Sequence, residues 1–136
     1  MKLTASFLAL LALLPAAPLS AKPASVTVRT GESWLFAVDR GRPVKARRVN
    51  SSAKPARGEI LVAVRAMMGT TMTVTNNSQF DYAYRAMLVM PGGKGGPSKS
   101  CAVPANGRMA IEHWPRPVAA IRLSDFKPAP AGSLCP

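Results

Sequence analysis

The chain has 136 residues, 18 of them Lys or Arg and six Asp or Glu, for a net charge of +12. Its length implies one domain, and its single histidine and six scattered acids exclude a multi-histidine zinc centre and offer no carboxylate pair for glycoside hydrolysis. The excess of positive charge points instead to an anionic partner.

The chain begins MKLTASFLALLALLPAAPLSAKPAS: Lys2, an apolar run from Phe7 to Leu14, then prolines and small residues. This is the layout of a secretory signal peptide over residues 1–21, cut after Ala21 to leave Lys22 at the new terminus. The apolar run is too short to span a bilayer, which needs about 20 residues, and no later run would make a transmembrane segment in the mature chain. No cysteine near the cut supports lipid attachment. The implied compartment is periplasmic or extracellular.

Short strand patterns follow. SVTVRT (25–30) alternates Val26 and Val28 with polar residues. SWLFAV (33–38) puts Trp34, Phe36 and Val38 on one face. VKARRVN (44–50) reads as an edge strand, because charged side chains discourage further pairing. It lies in the most basic stretch, RGRPVKARRVNSSAKPAR, residues 40–57. Here Arg40, Arg42, Lys45, Arg47, Arg48, Lys54 and Arg57 meet no acid. These seven are the candidate anion-binding residues. In the expected strand Arg47 and Arg48 point to opposite faces.

NSSAKPARG (50–58) is a loop. Its SSAK matches S-x-x-K, but no S-D-N or K-T-G follows, so penicillin-binding chemistry is not expected. EILVAVRAM (59–67) has the continuous apolar run Ile60–Val64, which predicts a central strand covered on both faces. TMTVTNN (71–77) alternates threonine with Met72 and Val74. The nearby pair Met67-Met68 raises soft-metal binding, but alternation separates the two, and core filling is expected. DYAYRAMLVM (81–90) puts Tyr82, Tyr84, Ala86 and Leu88 on one face.

GGKGGPSKSC (92–101) resembles a phosphate-binding loop. The G-x-x-x-x-G-K-[ST] register fails, however, because Ser98 stands where the second glycine belongs. No helix pattern follows to hold a phosphate on its N-terminus. A hairpin loop entering a strand at SKSCAV (98–103) is the expectation. PANG then turns the chain into RMAIEHW (108–114), where His113 shares a face with Met109 and Ile111 as a satisfied, partly buried residue. A Ser-His-Asp triad could use only His113, with Asp39, Asp81 or Asp125 to orient it, and no G-x-S-x-G elbow is present. Trp114 caps one end of the core or, alternatively, is a candidate partner anchor. AAIRLSDF (119–126) is the last strand. The tail 128–136 is rich in proline. Cys101 and Cys135 are an even pair, which in an exported chain predicts a disulfide tethering that tail.

Together these segments predict an all-β fold: a small antiparallel β-sandwich of immunoglobulin-like size, with about 7–9 strands over residues 22–127. It lacks the Cys…Trp…Cys spacing of antibody domains. The expected function is an exported, non-catalytic binding or accessory module of the bacterial cell envelope, without cofactor or metal. Its partner would be an anionic envelope component or an acidic protein, with peripheral membrane contact. Nucleic acid is not expected, because export separates the chain from most of it and no aromatics interleave with the basic run for stacking. The alternative is a protein-interaction module, an inhibitor or chaperone-like accessory domain, acting through sheet edges and loops. A hydrolase without a recognisable motif is the third reading.

Overall fold

The computed structural model describes residues 24–130 together with Pro15 and Cys135. The expected signal peptide lies outside the described residues, apart from Pro15. Nine strands follow in chain order: β1 (Ser25–Arg29), β2 (Ser33–Asp39), β3 (Arg42–Val49), β4 (Glu59–Ala66), β5 (Thr70–Asn76), β6 (Tyr82–Val89), β7 (Gly95–Ser98), β8 (Arg108–Trp114) and β9 (Ala120–Pro128). They form two antiparallel sheets, ordered β1-β9-β6-β7 and β3-β2-β4-β5-β8. The sheets pack face to face as a β-sandwich.

The period-2 alternation of these strands explains the packing. Val26, Val28, Leu88, Ile121 and Leu123 of the smaller sheet meet Phe36, Ile60, Val62, Val64, Met72 and Val74 of the larger. Phe126 joins the aromatic part of the core. Its ring lies 5.4 Å from Phe36, 5.6 Å from Tyr84 and 6.2 Å from Tyr82. Each such burial stabilises the fold by about 1.5–3 kcal/mol before the entropy of ordering is counted.

Polar groups close the ends. Asn76 is fully buried and saturated: its amide NH₂ donates to the Phe80 carbonyl (2.7 Å) and the Val103 carbonyl (3.3 Å). Its oxygen accepts from the backbone N–H and hydroxyl of Ser78. At the opposite end Thr70 Oγ1 donates to the Arg116 carbonyl and accepts from the Val118 N–H. Beside it, Gly69 has φ +114°, and a Cβ there would collide with the Trp114 carbonyl, so the β4–β5 turn requires glycine.

Four details differ from the sequence expectation. β4 is central, but only its inner face is fully buried. Leu61, Ala63 and Arg65 on its outer face are half-buried, because among the described residues no second layer lies over this sheet. The strand after the glycine loop runs from Gly95 to Ser98 rather than from 98 to 103. Glycine permits this, since a Cβ on Gly95 would collide with the Leu88 carbonyl of β6. PANG does not make a hairpin. Asn106 and Gly107 adopt the positive φ of such a turn (64° and 79°), but the strands on either side belong to different sheets. β8 is also inverted relative to expectation. Ala110 and Trp114 face the core, while Met109, Ile111 and His113 face outward and are exposed.

The C-terminal tail starts with structure. Pro128 still pairs with Tyr82, and the Ala129 N–H donates to the Asp81 carbonyl. The Cys101–Cys135 disulfide is present. A structural disulfide of this kind belongs to a non-reducing compartment.

Candidate functional site

β3 is an edge strand, as its charges imply, and all seven basic residues of the 40–57 stretch are exposed. A β-bulge shapes their arrangement. Leu35 of β2 pairs with Arg47, but Ala37 pairs with Val44, so β3 carries one extra residue between them. Lys45 absorbs it with φ 54°. The bulge resets the alternation, and Arg42, Val44 and Arg47 all lie on the outer face of the sheet. Strict alternation would have put Val44 and Arg47 on opposite faces. Bulge, Pro43 and charge together guard this edge against pairing with another chain.

The seven cations are not equivalent. Arg47 pairs with Glu59 at 2.8 Å and Arg48 with Glu32 at 3.3 Å. The Arg47 hydrogen bond is the main reason that the Glu59 carboxyl titrates below the usual carboxylate range. For Glu32 the main cause is the indole N–H of Trp34, which donates at 2.9 Å, with Arg48 adding to it. Both acids come from outside the basic stretch, so the sequence count could not reveal the pairing. Among the described residues, Arg40, Arg42, Lys45, Lys54 and Arg57 form no ion pair with a carboxylate. They occupy the β2–β3 turn, the edge strand and the loop after it, and present a field that attracts anions.

The remaining candidates are placed as follows. Trp114 is 9% exposed and belongs to the core cluster, and its Nε1 donates to Ser98 Oγ at 3.0 Å. Its ring therefore closes the side of the sandwich between β7 and β8 and offers little surface to a partner. The Cys101 N–H donates to Glu112 of β8 at 2.8 Å and strengthens the same seam. His113 is exposed rather than partly buried, and its Nδ1 meets the Thr71 hydroxyl at 2.9 Å, not a carboxylate. Asp81 instead takes the Ala105 N–H and Arg108, and Asp125 takes Arg85. Met67 and Met68 do not fill the core. They form the tip of the β4–β5 hairpin, where Met68 is 96% exposed. The glycine loop is the β6–β7 hairpin connection, with the Met90 N–H donating to the Lys94 carbonyl. Among the described residues, no three His, Cys, Asp or Glu side chains cluster as metal ligands.

A second group of cations escaped the sequence reading. Arg85, Lys99 and Arg122 are far apart in the chain, but they line one groove of about 790 Å³ on the four-stranded sheet. Each occupies an ordinary exposed position, so only the pairing of β6 with β9 brings them together. Compared with known proteins, the chain matches no protein-family model, no curated protein and no solved structure.

Proposed function

We propose that this chain is an exported, non-catalytic binding module of the bacterial cell envelope, which holds an anionic partner on the cationic flank made by β3 and the loop that follows. The reading rests on one observation: among the described residues five exposed cations of the 40–57 stretch have no ion-paired carboxylate, on a strand edge that is guarded against backbone pairing. Unpaired surface charge is costly to crowd together, and a bound anion relieves that cost. The disulfide and the signal-peptide pattern support export, with Lys22 expected as the mature N-terminus. The test is co-sedimentation with phosphatidylglycerol vesicles and with neutral phosphatidylcholine vesicles at low and physiological salt. Binding to the anionic vesicles that weakens steeply with salt is expected. Equal binding to both vesicle types would refute the reading.

A second reading, a protein-interaction module, draws on β8. This edge strand pairs with β5 through seven consecutive residues without a bulge, and it exposes Met109 and Ile111. An extended segment of a partner could add to such an edge. Capture of one envelope protein, insensitive to salt and abolished by Ile111→Lys, would favour it.

A further inference from the structure

The outer faces of β6 and β9 carry a cationic feature of a different kind from the basic stretch. Arg85 pairs with Ser124 and Met87 pairs with Arg122. Arg85 and Arg122 are therefore diagonal neighbours, with Cβ atoms about 7–8 Å apart. Arg85 has an ion pair with Asp125 at 3.6 Å, whereas Arg122 has none among the described residues. Lys99 adds a third charge. It stands on a wall made by the chain leaving β7. Ala86 pairs with Ser98, but the next bridge joins Tyr82 to Val103. Residues 99–102 thus span the distance that 83–85 cover in β6 with one extra residue. The Ser100 hydroxyl donates to the Tyr84 carbonyl and ties this segment to β6.

The groove has a definite chemistry. Arg85, Lys99, Arg122 and Ser124 line it, Ser98 turns its hydroxyl to Trp114 on the core side, and among the described residues no carboxylate belongs to the lining, although Asp125 pairs with Arg85 beside it. Met87 and Pro97, which pair across β6 and β7, add an apolar strip to the same lining. The groove belongs to the four-stranded sheet on its β7 side, whereas the basic stretch belongs to the far edge of the other sheet.

We infer that this groove binds a phosphate-type oxyanion carried on a short apolar body. Three cations and the Ser124 hydroxyl can present hydrogen-bond donors to a tetrahedral oxyanion, since the Ser98 and Ser100 hydroxyls already donate to carbonyls. The oxyanion also relieves the repulsion between Arg85 and Arg122. The apolar body covers Met87 and Pro97, which inorganic phosphate would leave wet. Such a ligand has two sources, a phospholipid headgroup or a soluble phosphate monoester. The inference does not depend on the role of residues 40–57.

The test is an NMR titration of the disulfide-bonded protein with hexyl phosphate, inorganic phosphate and hexanol. Hexyl phosphate is expected to shift the amides of Arg85, Met87, Ser100 and Arg122, and to bind more tightly than either of the other two. The double variant Lys99→Gln, Arg122→Gln should lose about tenfold or more in affinity, as expected for charge-assisted hydrogen bonds. Arg122→Lys should keep most of the affinity. Arg42→Gln with Lys45→Gln should leave it unchanged, which separates this site from the β3 flank. Competition with phosphatidylglycerol vesicles tells the sources apart: displacement assigns the site to a lipid headgroup, and its absence to a soluble monoester. Shifts centred on residues 40–57, equal affinity for inorganic and hexyl phosphate, or a double variant that binds as well as the parent would each overturn the inference.

Discussion

Arg47 reaches Glu59 at 2.8 Å, and the contact crosses β2 on its outer face, above Leu35. Among the described residues no second layer lies on this side, yet Leu35 is only 4% exposed. The arginine stem, held in place by the ion pair, explains the cover. Arg47→Ala should therefore destabilise the protein by about 1 kcal/mol, through lost packing as much as lost charge, whereas Arg42→Ala should change stability by less than about 0.5 kcal/mol. The pair also carries a pH signature. The folded-state value of Glu59 is lowered, mainly by Arg47, so its contribution is complete above the ordinary carboxylate value and fades as pH falls through the lowered one. Melting curves between pH 7 and pH 3 should show a shallower acid loss for Arg47→Ala than for the parent.

The disulfide joins residues 34 apart in sequence. Closing a loop of that length should stabilise the fold by about 3–4 kcal/mol on the chain-entropy account. Cys101→Ser with Cys135→Ser should lower the melting temperature clearly, and reduction of the parent should reproduce most of that loss. Native thiols that react with a blocking reagent without reduction would show that the bond is absent in solution.

Asn76 holds three pieces of chain at one point. Asn76→Ala would leave the Phe80 carbonyl with only the Ser78 hydroxyl, weaken the Ser78 turn and remove one partner of Val103. Buried groups left without partners cost about 1–3 kcal/mol each, so a loss of roughly 2–4 kcal/mol is expected in chemical denaturation. Asn76→Asp should not rescue it, because a carboxylate cannot donate to the two carbonyls.

Tyr84 has the opposite character. Among the described residues its buried hydroxyl makes no well-formed hydrogen bond, although the Ser100 side chain lies near it. Burial above all, and then the charge of Glu112, pushes its ionisation well above the ordinary phenol range. The ring stacks on Phe126, and phenylalanine would keep that contact. Tyr84→Phe should therefore be neutral or stabilising by up to about 1 kcal/mol, because it removes a desolvated group without removing a bond. A clear fall in melting temperature would show that the hydroxyl is bonded.

Much of the fold was legible from alternation alone. Tyr82, Tyr84, Ala86 and Leu88 do share the core face of β6, as do Met72 and Val74 of β5. Alternation does not say which face is the core when both carry apolar residues. In β8, Met109 and Ile111 outweigh Ala110, but Trp114 decides the orientation because it is the largest group to bury. Strand propensity failed at β7, where close approach of Gly95 to β6 matters more than side-chain packing. The charge count over 40–57 located an exposed cationic edge, but it could not see Glu32 and Glu59 folding back onto Arg48 and Arg47. Nor could it see Arg85 and Arg122 meeting across two strands, since neither belongs to a run.

Those ion pairs decide which cations to change in a test of the β3 flank. Arg47 and Arg48 already have carboxylate partners, so their charge is largely spent within the protein, whereas among the described residues Arg40, Arg42, Lys45, Lys54 and Arg57 have none, and on the proposed reading these five meet the ligand. Each free cation near an anionic leaflet is worth about 1 kcal/mol, so changing all five to glutamine should lower affinity for phosphatidylglycerol vesicles by upward of about a hundredfold. Changing Arg47 and Arg48 alone should lower it much less, while costing more stability. The melting temperature of the five-residue variant should barely move, because exposed charges contribute little to folding. Co-sedimentation of the parent and both variants at low and physiological salt gives the comparison. If the two-residue variant loses as much binding as the five-residue one, the unpaired cations are not what holds the surface.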